Sequence, residues 1–265
     1  MCRITANDKM KENCFTLFKS EIDSSLIPNK LNNPFDLDTP DICKLAVQEV
    51  EEFIIANQDE WKHDFGVDND TSLNLLSTSA KGKMFGVLIV RNTDGQLGYL
   101  FTFSGKIADE HHHPSFVPSL FDISTDDYFM NRGMRDLSAM TEILEHTNDL
   151  QERQALKEER KLMSVRLQQR LFDCYNFLNV HKEQMSLCSI FEKINKRPPA
   201  GAGECAAPKL IQYAFARNME ALAVAEFWWG KASKSGDRQH RCFYPACNDK
   251  CLPILGFMIR DILNI

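Results

Sequence analysis

The sequence predicts an α+β fold in three parts: a small β-hairpin-containing unit, a long helical connector that is partly coiled-coil-like, and a C-terminal Cys-rich α/β unit. Three observations predict it. Two β-rich runs, 83–91 and 96–103, flank the turn Asn92-Thr93-Asp94-Gly95, and Asp-Gly between such runs is a hairpin signal because Gly accepts the positive φ the turn needs. Residues 132–179 contain no Pro and a single Gly, Gly133, as a long helix requires. Arg197-Pro198-Pro199-Ala200-Gly201-Ala202-Gly203 then breaks the helix and opens a segment holding Cys205, Cys242, Cys247 and Cys251. The expected boundaries are a loosely ordered lead-in over 1–38, an α+β unit over 39–130, the connector over 131–192, and a basic Cys-rich α/β unit over 193–265.

Each element has a local reason. The lead-in is polar and mixed, with Pro28, Pro34 and several Asn. Thr39 can cap a helix, Pro40 suits its first position, and Asp41 favours the positive end of its dipole. Ile42, Leu45, Ala46, Val50, Phe53 and Ile54 then recur at helical spacing as far as Asn57. The run 83–91 is almost wholly apolar, which predicts a strand buried on both faces. In the connector, Leu156, Met163, Leu167, Leu171, Cys174 and Leu178 form one stripe that Arg160 interrupts, so any coiled coil is short. Arg153, Lys157, Arg160 and Lys161 fall near one another on the helix surface, where they could touch phosphate but read rather as an ordinary solvated face. Beyond the break, helix is expected at 208–217, strand at 222–227, a polar basic loop at 230–241, and helix from Pro253.

Composition narrows the setting. The 265 residues are ordinarily globular, and the longest apolar runs, such as 85–90, are strand-sized. Residues 1–14 lack the apolar core of a secretory signal, so the nine cysteines read as reduced thiols in the cytoplasm. The net charge of −6, taken whole, argues against nucleic acid, yet it is unevenly spread. Residues 1–130 carry 11 Lys and Arg against 21 Asp and Glu, whereas 193–250 carry 10 against 5. An acidic front and a basic back point to an anionic partner for the latter.

Two residue clusters there could carry function. Cys247 and Cys251 form C-x3-C, a spacing that closes around tetrahedral zinc, with Cys205 and either His240 or Cys242 as further ligands. The alternative is that small buried cysteines simply pack as apolar groups. The triple histidine His111-His112-His113 is a poorer metal site, since adjacent side chains point apart, and reads as a loop whose histidines cap or pack. The second cluster is Phe227-Trp228-Trp229-Gly230 followed by Lys231, Lys234, Arg238, His240, Arg241 and then Phe243-Tyr244. RNA readers stack bases on aromatic faces and hold phosphate with Lys and Arg, so Trp229 and Tyr244 are candidate stacking residues.

Several chemistries find no support. Gly201-x-Gly203 lacks the remainder of a phosphate loop, and no G-x-S-x-G elbow occurs. Zinc deaminases carry a catalytic Glu two residues after the first ligand, and a Pro-Cys-x-x-Cys pair. Here Ala207 stands two residues after Cys205, Glu204 lies on its other side, and Pro245-Ala246-Cys247 is spaced one residue too wide. A zinc-binding deaminase-like domain without activity therefore stays open as an alternative.

Residues 198–210 (PPAGAGECAAPKL), Ala225-Glu226-Phe227-Trp228-Trp229-Gly230 and Phe243-Tyr244-Pro245-Ala246-Cys247, with Lys250-Cys251-x-Pro253-Ile254-Leu255, resemble the amino-terminal accessory region of long-form RluA-family pseudouridine synthases. Gly82–Leu88, Leu97–Leu100, Phe103–Lys106 and Phe116–Asp122 resemble its earlier segment, in the same order. Arg241-Cys242 departs from the family's usual Gly-polar pair, and the central helical segment is shorter than in many relatives. The family's catalytic Asp lies in a later domain with a His-Arg-Leu-Asp-type motif, and no His-Arg-x-Asp occurs here, so the resemblance assigns no catalytic residue. It implies a non-catalytic region that positions structured RNA, a tRNA or rRNA hairpin, for a catalytic domain in cis or in trans. In that role Lys231, Lys234, Arg238 and Arg241 would hold phosphates. A helical protein-interaction module is the remaining alternative.

Overall fold

Strand β2 (Lys83–Arg91) is buried from Phe85 to Val90, and the rest of the chain is arranged to cover both of its faces. The computed structural model describes residues 13–68, 73, 78–108, 110, 113–120 and 129–263. Strand β3 (Leu97–Phe103) returns antiparallel to β2 through the expected turn, where Asn92 Oδ1 accepts from the amides of Asp94 and Gln96 and Gly95 sits at φ 80°. On the other side of β2 lies β6 (Glu220–Trp229), also antiparallel, with Val87 opposite Ala225. The short strands β1 (Thr16–Leu17) and β7 (Phe243–Tyr244) complete a five-stranded sheet of order β1-β3-β2-β6-β7.

The two-residue alternation of the strands sorts their side chains into two cores. Phe85, Val87 and Ile89 meet Phe101, Phe103, Ala225 and Phe227 on the face covered by α1 (Asp41–Asn57), whose Ile42, Ala46, Val50 and Ile54 are fully buried. Leu88, Val90, Leu100 and Val224 face the opposite way. There they meet α5 (Ala206–Ala216) and α6 (Cys251–Leu263) through Leu210, Ile211, Ile254, Leu255 and Met258. The fold is thus α+β, with helices on both faces of an antiparallel sheet and a Cys-rich C-terminal region.

The α+β unit expected at 39–130 and the Cys-rich unit expected at 193–265 share this one sheet, because β6 is buried along most of its length and finds its partner in β2. The lead-in is also more ordered than its composition suggests. Residues 1–12 lie outside the described residues, but Cys14 and Leu31 are buried. Asn32 mimics a neighbouring strand, its Oδ1 accepting from Val224 N at 2.8 Å and its Nδ2 donating to Val224 O at 3.1 Å.

The connector is two helices rather than one, α2 (Phe129–His146) and α3 (Leu150–Phe172). Asp149 starts the second by accepting from Glu152 N at 2.8 Å, a side-chain cap that competes with continuing the first. The stripe therefore ends at Leu171. Cys174 lies beyond α3, and Leu178 falls on β4 (Asn176–Leu178), paired with β5 (Gln184–Ser186) ahead of α4 (Leu187–Glu192). Arg160, which breaks the stripe, donates from Nε to Thr141 Oγ1 at 2.8 Å and so joins the two helices.

Candidate metal centre and basic loop

Helix α5 begins where Pro198–Gly203 has turned the chain, with Cys205 at its N-cap position in extended backbone (φ −71°, ψ 153°). Helix α6 begins at Cys251, and one turn before it the carbonyl of Cys247 accepts from the amides of Cys251 (3.2 Å) and Leu252 (3.1 Å). The C-x3-C spacing is thus wound as a helical turn, which places both sulfurs on one side, 3.5 Å apart. Cys205 joins them from the neighbouring helix, and the three Sγ atoms all lie within 4.8 Å of one another. These three sulfurs could hold a metal ion, and among the described residues they are the only such group of His, Cys, Asp or Glu. All eight described cysteines are free thiols.

The electrostatics of the cluster favour one thiolate. Hydrogen bonding from the Cys205 and Cys251 thiols, aided by the amides of Cys251 and Lys250, holds the Cys247 thiol far below its ordinary pKa. The same bonds push Cys205 and Cys251 upward. A thiol whose pKa is held down in this way, one turn before α6, presents the sulfur donor that soft divalent metals prefer.

Glu226 has no counterpart in the expected site. It is the sole charged residue between Ala221 and Trp229, and it is buried. Its Oε1 accepts from Ala207 N at 3.0 Å. Burial pushes its pKa up to about 7, opposed by the Ala207 hydrogen bond and reinforced by the charge of Cys247. Its own charge in turn raises Cys205 and Cys251, so the carboxylate couples to all three thiols. Lys209, one turn into α5, is also buried, its Nζ donating to Phe103 O at 2.5 Å, and burial lowers its pKa. The signal that could have found Glu226 is a lone carboxylate inside an apolar strand.

His240 is not part of this centre. Its Nδ1 accepts from Gly230 N at 3.0 Å and its ring packs edge-on against Trp229, 4.5 Å between centroids, so the loop spends this side chain on its own fold. Cys242 is exposed and likewise outside the group. His111 and His112 lie outside the described residues, whereas His113 is buried among Trp61, Phe103 and Phe116.

The basic loop keeps only part of its expected surface. Trp229 is fully buried and gives no face to a base, because it follows Ala225 and Phe227 on the inward side of β6. Tyr244 is half-buried, with the Arg238 guanidinium 4.3 Å from its ring centroid and its hydroxyl accepting from Gln239 N at 2.7 Å. Arg241 is paired with Glu51 on α1. Lys231 N donates to Phe65 O at 2.8 Å, and Gly230 reaches this bend at φ 94°, where a Cβ would lie 2.4 Å from that same oxygen. Lys234 is exposed, and Arg238 pairs only loosely with Asp237 at 3.8 Å.

No family model, curated protein or solved structure matches this chain. No helix among the described residues is long and apolar enough to cross a membrane.

Proposed function

We propose that this chain is a zinc-stapled, non-catalytic region that positions structured RNA for an RNA pseudouridine synthase. The convergence of Cys205, Cys247 and Cys251 from the starts of two helices carries the metal half of this reading. Thiolate donors at such spacing select zinc over hard cations, and a zinc ion here would tie α5 to α6 on one face of the sheet. The RNA half rests on the sequence blocks around residues 198–255 and on the cationic end of the loop, the exposed Lys234 with the half-buried Lys231 and Arg238, beside the half-buried Tyr244 ring. These cations would contact phosphate and orient the RNA without reading its bases. With Trp229 buried, base stacking has no part in the proposal.

Metal analysis of untagged protein tests the first half: one zinc per chain is expected, reduced in C247S and C251S. No stoichiometric zinc, together with indifference to chelator, overturns it. Gel shifts with tRNA and rRNA hairpins test the second half. K231E/K234E should weaken binding, and unchanged binding overturns it.

One observation favours a second role in partner docking. The α2–α3 hairpin exposes Met134, Ile143, Leu150, Leu162 and Val165, an apolar complement unusual for a solvated arm. A catalytic domain acting in trans would meet the chain there. Light scattering of the chain with such a domain, with and without L162E/V165E, tests that role; an unchanged complex overturns it.

A further inference from the structure

Thiolate-bound zinc takes four ligands, and the cluster supplies three. Neither His240 nor Cys242 belongs to it. What stands beside the sulfurs is Glu226, and the sheet holds it there from several directions. It lies in register with Gly86 on β2 and with Tyr244 on β7. A Cβ on Gly86 would come within 2.8 Å of the Ala206 side chain, so the absent side chain lets the start of α5 settle onto the sheet. That seating brings the Ala207 amide to within hydrogen-bond distance of Glu226 Oε1. Cys205 is two residues away on the same helix start.

The carboxylate is not one of the donor atoms within 4.8 Å of each other, so it is placed outside the sulfur shell rather than in it. The carboxylate also borders a cavity of about 10 Å³, lined by Asn32, Asp36, Ala207, Tyr244 and Ala246 and by none of the three cysteines, whose volume suits one water molecule. A buried carboxylate in an apolar strand is costly unless hydrogen bonds compensate it. Ala207 N supplies one, and a water on the neighbouring ion would donate another.

Resting on the metal reading above, we propose that the ion held by Cys205, Cys247 and Cys251 keeps its fourth position for an exchangeable water, and that Glu226 is the positioning residue that holds this water by accepting a hydrogen bond from it. Three protein ligands with one open position is the arrangement of a Lewis-acid site, whereas a purely structural site is closed by a fourth protein ligand. The centre is therefore a site for small exchangeable ligands, a property that a staple alone would not have.

X-ray absorption of the zinc-loaded full chain should give three sulfurs and one light oxygen donor. In the cobalt-substituted protein, azide or cyanide should shift the d–d bands saturably. E226Q should still bind one metal, but with roughly 10-fold or greater loss of affinity, as for other residues behind the ligand shell, and with an altered anion response. A four-sulfur shell, cobalt bands indifferent to anions, or unchanged affinity in a folded E226Q would each overturn the proposal. The first two measurements use the unsubstituted chain and stand whether or not E226Q folds. Failure of the unsubstituted chain to take up any metal is a separate outcome, and it overturns both this proposal and the metal reading beneath it.

Discussion

Arg241, in the basic loop, donates from Nε to Oε2 of Glu51 on α1 at 2.9 Å, a contact that ties the loop to the opposite end of the chain. Glu51 is almost wholly buried while the Arg241 side chain is 46% exposed. The loop residue itself sits at φ 62°, with its amide donating to Trp228 O at 2.7 Å. Solvent screening on the arginine side reduces what the pair contributes, but removing the cation leaves a buried carboxylate alone. R241Q should destabilise the chain by about 1–3 kcal/mol, and E51Q/R241Q should recover part of that loss. Urea unfolding of the three variants in a double-mutant cycle measures it; equal stability of R241Q and wild type would contradict the finding's energetic meaning.

Gly86 should tolerate no larger residue. G86A would press α5 away from the sheet at Ala206 and Leu210, an overpacking cost of about 1–3 kcal/mol. It should also weaken metal uptake, because Cys205 moves with the helix. Thermal melts and metal titration of G86A read the two effects separately.

His63 is expected to be neutral, with its proton on Nε2, at pH 7. Its Nε2 donates to Lys81 O at 2.9 Å while Nδ1 accepts from Ala108 N at 3.1 Å, a pattern only that tautomer satisfies. Burial lowers its pKa below the ordinary 6.5, with the Lys81 hydrogen bond opposing. The unfolded chain therefore takes up this proton first as pH falls. The contribution is fully present above about pH 7 and is lost as pH drops from about 6.5 towards the lower folded value. H63Q should show a shallower acid-side loss of stability than wild type in paired urea melts. Imidazole nitrogen shifts in NMR report the tautomer directly, and a proton on Nδ1 at pH 7 would refute it.

Chelation should act on the whole fold and not only on the cysteines. A metal tying α5 to α6 contributes part of its binding free energy to stability, and each kcal/mol moves the melting temperature by about 2–4 °C at this size. A drop of roughly 10 °C with a strong chelator is expected. It should be absent in C247S/C251S, whose melting temperature should already lie near the chelated value.

The hairpin, α1, α5, α6 and the doubly buried β2 were legible because their signals are local: a turn dipeptide, a helical period, an unbroken apolar run. Two of the four expected metal-ligand positions are one helical turn apart, so Cys247 and Cys251 were legible too. Cys205 was legible as a further ligand, but its convergence on that pair needed the tertiary placement of α5, and Glu226 carries no local signature beyond its isolation among apolar neighbours. Trp229 shows the opposite failure. An aromatic beside cations suggested an exposed stacking face, yet its strand parity with Ala225 and Phe227 already directed it inward. The pairing of β2 with β6 was invisible, because nothing local in either strand specifies a partner so far away in sequence.

That pairing has a consequence during synthesis. The two strands at the centre of the sheet lie well over a hundred residues apart, with both helices of the connector between them. A ribosome adding about 5–20 residues per second leaves one side of β2 unpaired for roughly ten seconds. During that interval its backbone is a template for any other extended chain. Nascent chains halted before residue 220 are therefore expected to depend on chaperones, and released chains completed through 229 to shed that dependence.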